Sequence, residues 1–167
     1  MVDNCKGTIF NIGPIKGSIF FRDCSNCTIS VACSQFRCRD LSDSTIYLFA
    51  QNDPIIESSS NLKFAPYNLA YPKLDEHVAA VGFNPAANKW ELIFDFTERD
   101  EGKNFNLLDP AEFKIRSIQV EEMEERPVTV FPFPKRYGGV IPDDAFTGGS
   151  AKKDEGGMES FGFSVTQ

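Results

Sequence analysis

The 167 residues include one histidine, one tryptophan and three methionines. A lone His77 cannot complete a zinc site that needs a His pair. It also has no Cys partner at a spacing that suggests nucleophilic catalysis. No GxxxxGK segment is present to cradle phosphate. No apolar run approaches the roughly 18 residues of a membrane span. The longest, 46–50 and 78–81, read as buried strand or helix pieces. Basic charge is scarce: 17 Lys and Arg stand against 24 Asp and Glu, a net charge of −7. That argues against nucleic acid as the partner, because phosphate binding needs a basic face. The deficit is uneven. Residues 1–94 carry 9 acids and 8 bases, and residues 95–167 carry 15 and 9. Met1-Val2-Asp3-Asn4 shows neither a signal-peptide charge pattern nor a Gly at position 2 for myristoylation. The expectation is a cytoplasmic chain without a membrane anchor.

All five cysteines fall early, at Cys5, Cys24, Cys27, Cys33 and Cys38. An odd count without a secretion signal favours free thiols in a reducing compartment. Cys24-Ser25-Asn26-Cys27 is half of a zinc site, but no second CxxC or His pair completes it. The cysteines therefore read as small apolar filler, and no metal or cofactor is expected.

What the chain does hold is phenylalanine, sixteen of them, and a repeat. Asp3, Asp23 and Asp40 each precede a Thr-Ile pair by five residues, at Thr8-Ile9, Thr28-Ile29 and Thr45-Ile46. A degraded fourth copy sets Ile56 five residues before Asn61-Leu62. Each unit reads as a polar corner, a small residue and a short β-rich strand. Further short strands at 18–21, 35–38 and 54–56 lie between them. Three strands in about 16–20 residues suit one coil of a parallel β-helix. Such a coil buries a narrow column in which Cys and Ser fit well. Within Gln35-Phe36-Arg37-Cys38-Arg39, Phe36 and Cys38 point one way and the three polar residues the other. That outer row reads equally as an ordinary solvated face. A solenoid starting at Asp3 exposes its first coil. The expectation is a piece of something longer, or a partner over that end.

Pro66, Pro72 and Pro85 interrupt the repeat. Leu74, His77, Val78 and Val81 share one face of a short predicted helix. His77 there reads as a packed or half-exposed helix residue, not a catalyst. Residues 88–97 alternate, which predicts a strand with Trp90, Leu92, Phe94 and Phe96 on one side. Asp109-Pro110-Ala111-Glu112 has the form of an N-cap, a Pro at N1 and a first-turn acid. A short helix to about Glu125 is one reading; the alternation of Phe113, Ile115, Ile118 and Val120 supports a strand instead. Past Arg126, Pro and Gly exclude a compact second domain. Hydrophobic beads (128–133, 140–141, Phe146, 161–165) mark an extended arm that docks in cis or on a partner.

Three stretches in order resemble the C-CAP/cofactor C-like (tubulin-binding cofactor C) family. They are Gly13-Pro14-Ile15-Lys16-Gly17-Ser18-Ile19-Phe20-Phe21-Arg22-Asp23-Cys24, Val31-Ala32-Cys33-Ser34-Gln35-Phe36-Arg37-Cys38-Arg39-Asp40, and Pro54-Ile55-Ile56-Glu57-Ser58-Ser59-Ser60-Asn61-Leu62-Lys63-Phe64. Their motifs are most similar to those of the retinitis pigmentosa 2 protein. The resemblance covers residues 2–110 and implies an all-β, right-handed parallel β-helix there with short helical additions; composition, not the resemblance, gives the helix or strand connector at 111–126 and the extended acidic arm at 127–167. It implies a GTPase activator acting in trans on an Arf-like small GTPase or tubulin, with GTP bound by the partner. It puts the arginine finger at Arg37, supporting residues at Gln35 and Arg39, and partner contacts at Glu57 and Phe96. It also implies a setting in the cilium, axoneme or microtubule cytoskeleton. One departure is Ser34, where the family carries a second Gln. The alternative is a non-catalytic subunit of an axonemal or ciliary microtubule assembly, docked through the open first coil and the arm.

Overall fold

A computed structural model describes residues 1–97, 103–118, 131–132 and 134–137. The short polar residues at the corners explain why the chain coils. Asn4, Asp23, Asp40 and Ser58 all have positive φ, and so do Gly7, Asn26, Asp43 and Asn61. Asn, Asp and Gly tolerate this left-handed conformation best, so each set marks one bend of the coil. Between the bends run β1 (Val2–Asp3), β2 (Ile9–Ser25) and β3 (Thr28–Ala50). They continue into β4 (Ile55–Glu57) and β5 (Ser60–Pro66). All of these pair in parallel, as expected for a β-helix.

The register corrects the repeat read from the sequence. Asp3 pairs with Arg22, so Asn4, not Asp3, shares the column of Asp23. Thr28 pairs with Ile9 and not with Thr8. Lys63 lies beneath Thr45, which puts Asn61 two residues out of the expected frame. The physical reason is that the offset between coils is uneven. It is 19 residues at Ile9↔Thr28, 17 at Ser18↔Gln35 and 18 at Thr45↔Lys63, with irregularities around Pro14 and Gly17. Proline belongs at such irregularities because it cannot donate to the ladder. Gly13 leaves room there too: a Cβ would stand 2.8 Å from the Tyr71 Oη, so that hydroxyl would have to shift.

The phenylalanines form a ladder through the coils. Phe10 meets Phe21 at 5.3 Å between centroids, Phe21 meets Phe36 at 5.9 Å, Phe36 meets Phe64 at 6.1 Å and Phe64 meets Phe105 at 6.0 Å. Each such pair adds about 0.5–1.5 kcal/mol beyond burial. The cysteines are free, and all but Cys5 are buried. At the inner corners, Cys5, Cys24, Cys27, Ser44 and Ser59 each donate to the carbonyl two residues back. A small side chain with one weak donor suits that position. Burial pushes the Cys33 and Cys38 thiols up to about 12.

After β5 come β6 (Leu69–Ala70) and α1 (Leu74–Val81), the helix expected from its spacing. Gly82 ends α1 in the left-handed conformation. Leu74 and Val78 pack on Phe49, Tyr67, Phe83 and Phe131 in a second core beside the coils. His77 is exposed, with Nδ1 3.2 Å from the Tyr71 Oη. The strand expected over 88–97 shrinks to β7 (Phe94–Asp95). The chain turns first, as the Leu92 amide bonds the Lys89 carbonyl. That breaks the alternation: Trp90 is buried, whereas Leu92, Phe94 and Phe96 are exposed. β7 pairs with β4, and β8 (Phe105–Leu107) pairs with β5. Asp109 does cap, its Oδ1 accepting from the Ala111 amide at 2.9 Å, but the helical turn spans only Pro110–Glu112. Phe113 and Ile115 then alternate into the core, and β9 (Arg116–Ser117) pairs with β6. The rest of the expected connector, 119–126, lies outside the described residues. So do the arm's beads at 128–130, Phe133, 140–141, Phe146 and 161–165. Of the arm, Phe131 and Tyr137 are buried against the two cores.

Candidate functional site

Strands β2, β3, β4 and β7 form one flat face of the solenoid. Parallel pairing puts equivalent side chains about 4.8 Å apart, one above the other. Phe20, Arg37, Ile55 and Phe94 therefore stack in one outward column. Arg22, Arg39 and Glu57 stack in the next. Phe96 continues this second column, its amide bonded to the Ile56 carbonyl at 2.8 Å. Phe36 and Cys38 point inward and are buried, so the alternation read from the sequence holds here. A shallow groove is lined by Arg37, Ile55, Glu57 and Phe96. It brings together three of the five residues singled out from the sequence.

The arginines of this face differ in what holds them. Arg22 Nε lies 3.2 Å from Asp3 and 3.5 Å from Asp23. Arg39 Nε lies 3.4 Å from Asp40, and its Nη1 lies 4.0 Å from Glu57. The Arg37 side chain is exposed and makes neither hydrogen bond nor ion pair among the described residues. Its column neighbours Phe20 and Ile55 are apolar and offer no carboxylate. Glu57 thus meets Arg39 across the ladder and makes no ion pair with Arg37. Gln35 is half-buried, and its Nε2 donates to the Asp53 carbonyl at 2.7 Å. Lys89 fixes that same turn through Asp53 Oδ1 at 2.9 Å. Ser34 Oγ donates to Gln51 Oε1 at 2.9 Å.

Beside the groove the surface is apolar. Leu92 is 54% exposed, Phe94 55% and Phe96 57%. The rings of Phe94 and Phe96 lie 4.5 Å apart. Isolated exposed apolar residues are ordinary, but a contiguous group marks an interaction site. Phe20, Ile55 and Phe94 were not singled out from the sequence. Their signal was the coil period, which carries each of them to Arg37. Among the described residues no cluster of His, Cys, Asp and Glu is arranged to hold a metal ion. Nor is any described helix long and apolar enough to cross a membrane. The chemistry available is thus a free guanidinium on a rigid sheet, edged by exposed aromatic rings.

Comparison with known proteins covers this same region. A family model for tubulin binding cofactor C matches residues 1–96. Tubulin-specific chaperone C of Homo sapiens is 36% identical over 110 residues, 64% of this chain and 31% of that protein. Tubulin-folding cofactor C of Arabidopsis thaliana is 34% identical over 110 residues, 65% of this chain and 32% of that protein. TBCC domain-containing protein 1 of Gallus gallus is 25% identical over 138 residues, 81% of this chain and 25% of that protein. The chain thus spans about a third or less of the length of these relatives. The matched segment contains the coils that carry the Arg37 face, and the chain belongs to the tubulin binding cofactor C family.

Proposed function

We propose that this chain is a GTPase-activating module that presents Arg37 in trans to a GTP-binding partner in microtubule biology. The partner is tubulin or an Arf-like small GTPase. The observation that carries the reading is the Arg37 guanidinium, unpaired among the described residues, on a face whose other arginines, Arg22 and Arg39, are ion-paired. GTP hydrolysis spreads negative charge over the γ-phosphate and the leaving oxygen. A guanidinium inserted into the partner's site stabilises that charge and accelerates hydrolysis about 10³–10⁵-fold in known systems. A finger works best when it needs no reorganisation, and a residue in the middle of a β-helix face meets that condition. The apolar groove edge at Ile55 and Phe96 supplies contact area around it, and Glu57 offers a carboxylate to a basic group of the partner. The names of the relatives, tubulin-specific chaperone C and tubulin-folding cofactor C, favour tubulin. In this reading the module works in the cytoplasm and on the microtubule cytoskeleton, including that of cilia.

The test is single-turnover GTP hydrolysis by tubulin and by Arf-like GTPases, with wild type and Arg37→Ala. Wild type is expected to accelerate hydrolysis and Arg37→Ala to abolish the effect, a loss of at least about 10³. Equal rates with both proteins refute the arginine-finger role. Ser34 favours a second reading. Its side chain is short and bonded to Gln51, so it offers the partner nothing like the Gln that the family carries there. The same face then serves a non-catalytic subunit of an axonemal or ciliary microtubule assembly. Binding of the partner without any acceleration selects this reading.

A further inference from the structure

We infer that Arg136 and Tyr137 are positioning residues: they clasp Trp90 and Glu91, and so hold the exposed rung at Leu92, Phe94 and Phe96 beside Arg37. The rung is weakly secured by its own strand. β7 is two residues long and lies at the edge of its sheet among the described strands. Its ladder with β4 is only two residue pairs long, flanked by bonds from Phe94 N to Pro54 O and Phe96 N to Ile56 O, each 2.8 Å. So short an edge is marginal without side-chain support.

The support is immediately upstream. Trp90 is 2% exposed, and the Tyr137 ring meets it edge-on at 5.6 Å. Tyr137 also packs on Phe113 at 5.2 Å and donates its hydroxyl to the Leu108 carbonyl at 2.7 Å. The Arg136 guanidinium lies 5.1 Å above the Trp90 ring and pairs with the Glu91 carboxylate. Ring packing, a cation over indole and an ion pair converge on two consecutive residues. These clasp residues lie beyond the stretch matched by the family model, which ends at residue 96. Arg37, by contrast, has partners on both sides in Phe20 and Ile55. The two halves of the face are therefore held independently. Loss of the clasp should loosen the aromatic rung and spare the finger.

The test uses the full chain with Tyr137→Ala and Arg136→Gln, and hydrogen exchange resolved to segments. Amides at 90–96 should exchange about tenfold faster in Tyr137→Ala and about threefold faster in Arg136→Gln, with 36–48 unchanged. Unchanged exchange at 90–96 overturns the inference, as does an equal rise in all coils. Arg136 is half-exposed, so Arg136→Gln carries the test if Tyr137→Ala does not fold. A second readout, with tubulin as the GTP-binding probe, rests on the function proposed above. Both variants should bind about fivefold more weakly and keep the wild-type rate at saturation, since contact area is lost while the finger stays. A lower saturating rate at unchanged affinity overturns the inference. If wild type itself gives no acceleration, the arginine-finger reading falls, and the exchange result still decides the clasp.

Discussion

Replacing Phe36 with alanine removes a ring from the middle of the aromatic ladder, one residue from the groove. Phe36 is fully buried, with Phe21 stacked at 5.9 Å and Phe64 edge-on at 6.1 Å. Coils above and below are pinned by ladder bonds, so the gap cannot collapse. Truncating a buried Phe in such a site costs about 3–5 kcal/mol. For a domain of about 100 residues each kcal/mol lowers the melting temperature by about 4 °C, giving a drop of about 12–20 °C. Arg37→Ala is the matched control. Its side chain is exposed and unpaired among the described residues, so the melting temperature should move by no more than about 2 °C, or about 0.5 kcal/mol. Thermal unfolding followed by circular dichroism reads both. A Phe36→Ala drop below about 4 °C would show that the ladder is not the stabilising column argued here. An Arg37→Ala drop as large as that of Phe36→Ala would show that Arg37 is structurally committed, and would remove the basis for its proposed role.

Alkaline pH should destabilise the fold through its buried thiols. The Cys33 and Cys38 pKa values are raised to about 12 in the fold, so between about 9 and 12 only the unfolded chain gives up those protons. Stability is then full below the ordinary thiol pKa and falls as pH rises, by up to about 1.4 kcal/mol per pH unit for each thiol. Urea denaturation at pH 8, 9, 10 and 10.5 measures this, and Cys33→Ala should give a shallower decline; a flat profile over that range contradicts it. Gly13→Ala should cost about 1–3 kcal/mol from overpacking against Tyr71. Tyr71→Phe in the same chain should recover part of it by removing the hydroxyl 2.8 Å from the new Cβ. Equal stability of the single and double variants in denaturant titrations refutes that close approach.

Much of this architecture is legible in the residues because a β-helix repeats its instructions. Asp23 and Asp40 mark bends, and Phe36 and Cys38 alternate inward against Arg37 and Arg39. The helix at Leu74–Val81 follows from its spacing in the same way. Where the instruction is local, the sequence determines the outcome. It fails where the outcome depends on register. The uneven offset between coils moves the frame by one or two residues, and the turn at Lys89 separates Trp90 from Leu92, Phe94 and Phe96. No local pattern decides that Arg39, and not Arg37, faces Glu57. Nor does one decide that Tyr137 lies on Trp90. Those pairings join residues one coil apart or dozens of positions apart in the chain, and only closure of the coils brings them within reach. The scarcity of histidine, bases and long apolar runs bounded the chemistry, and the parallel stacking of the coils selected which arginine stands free among the described residues.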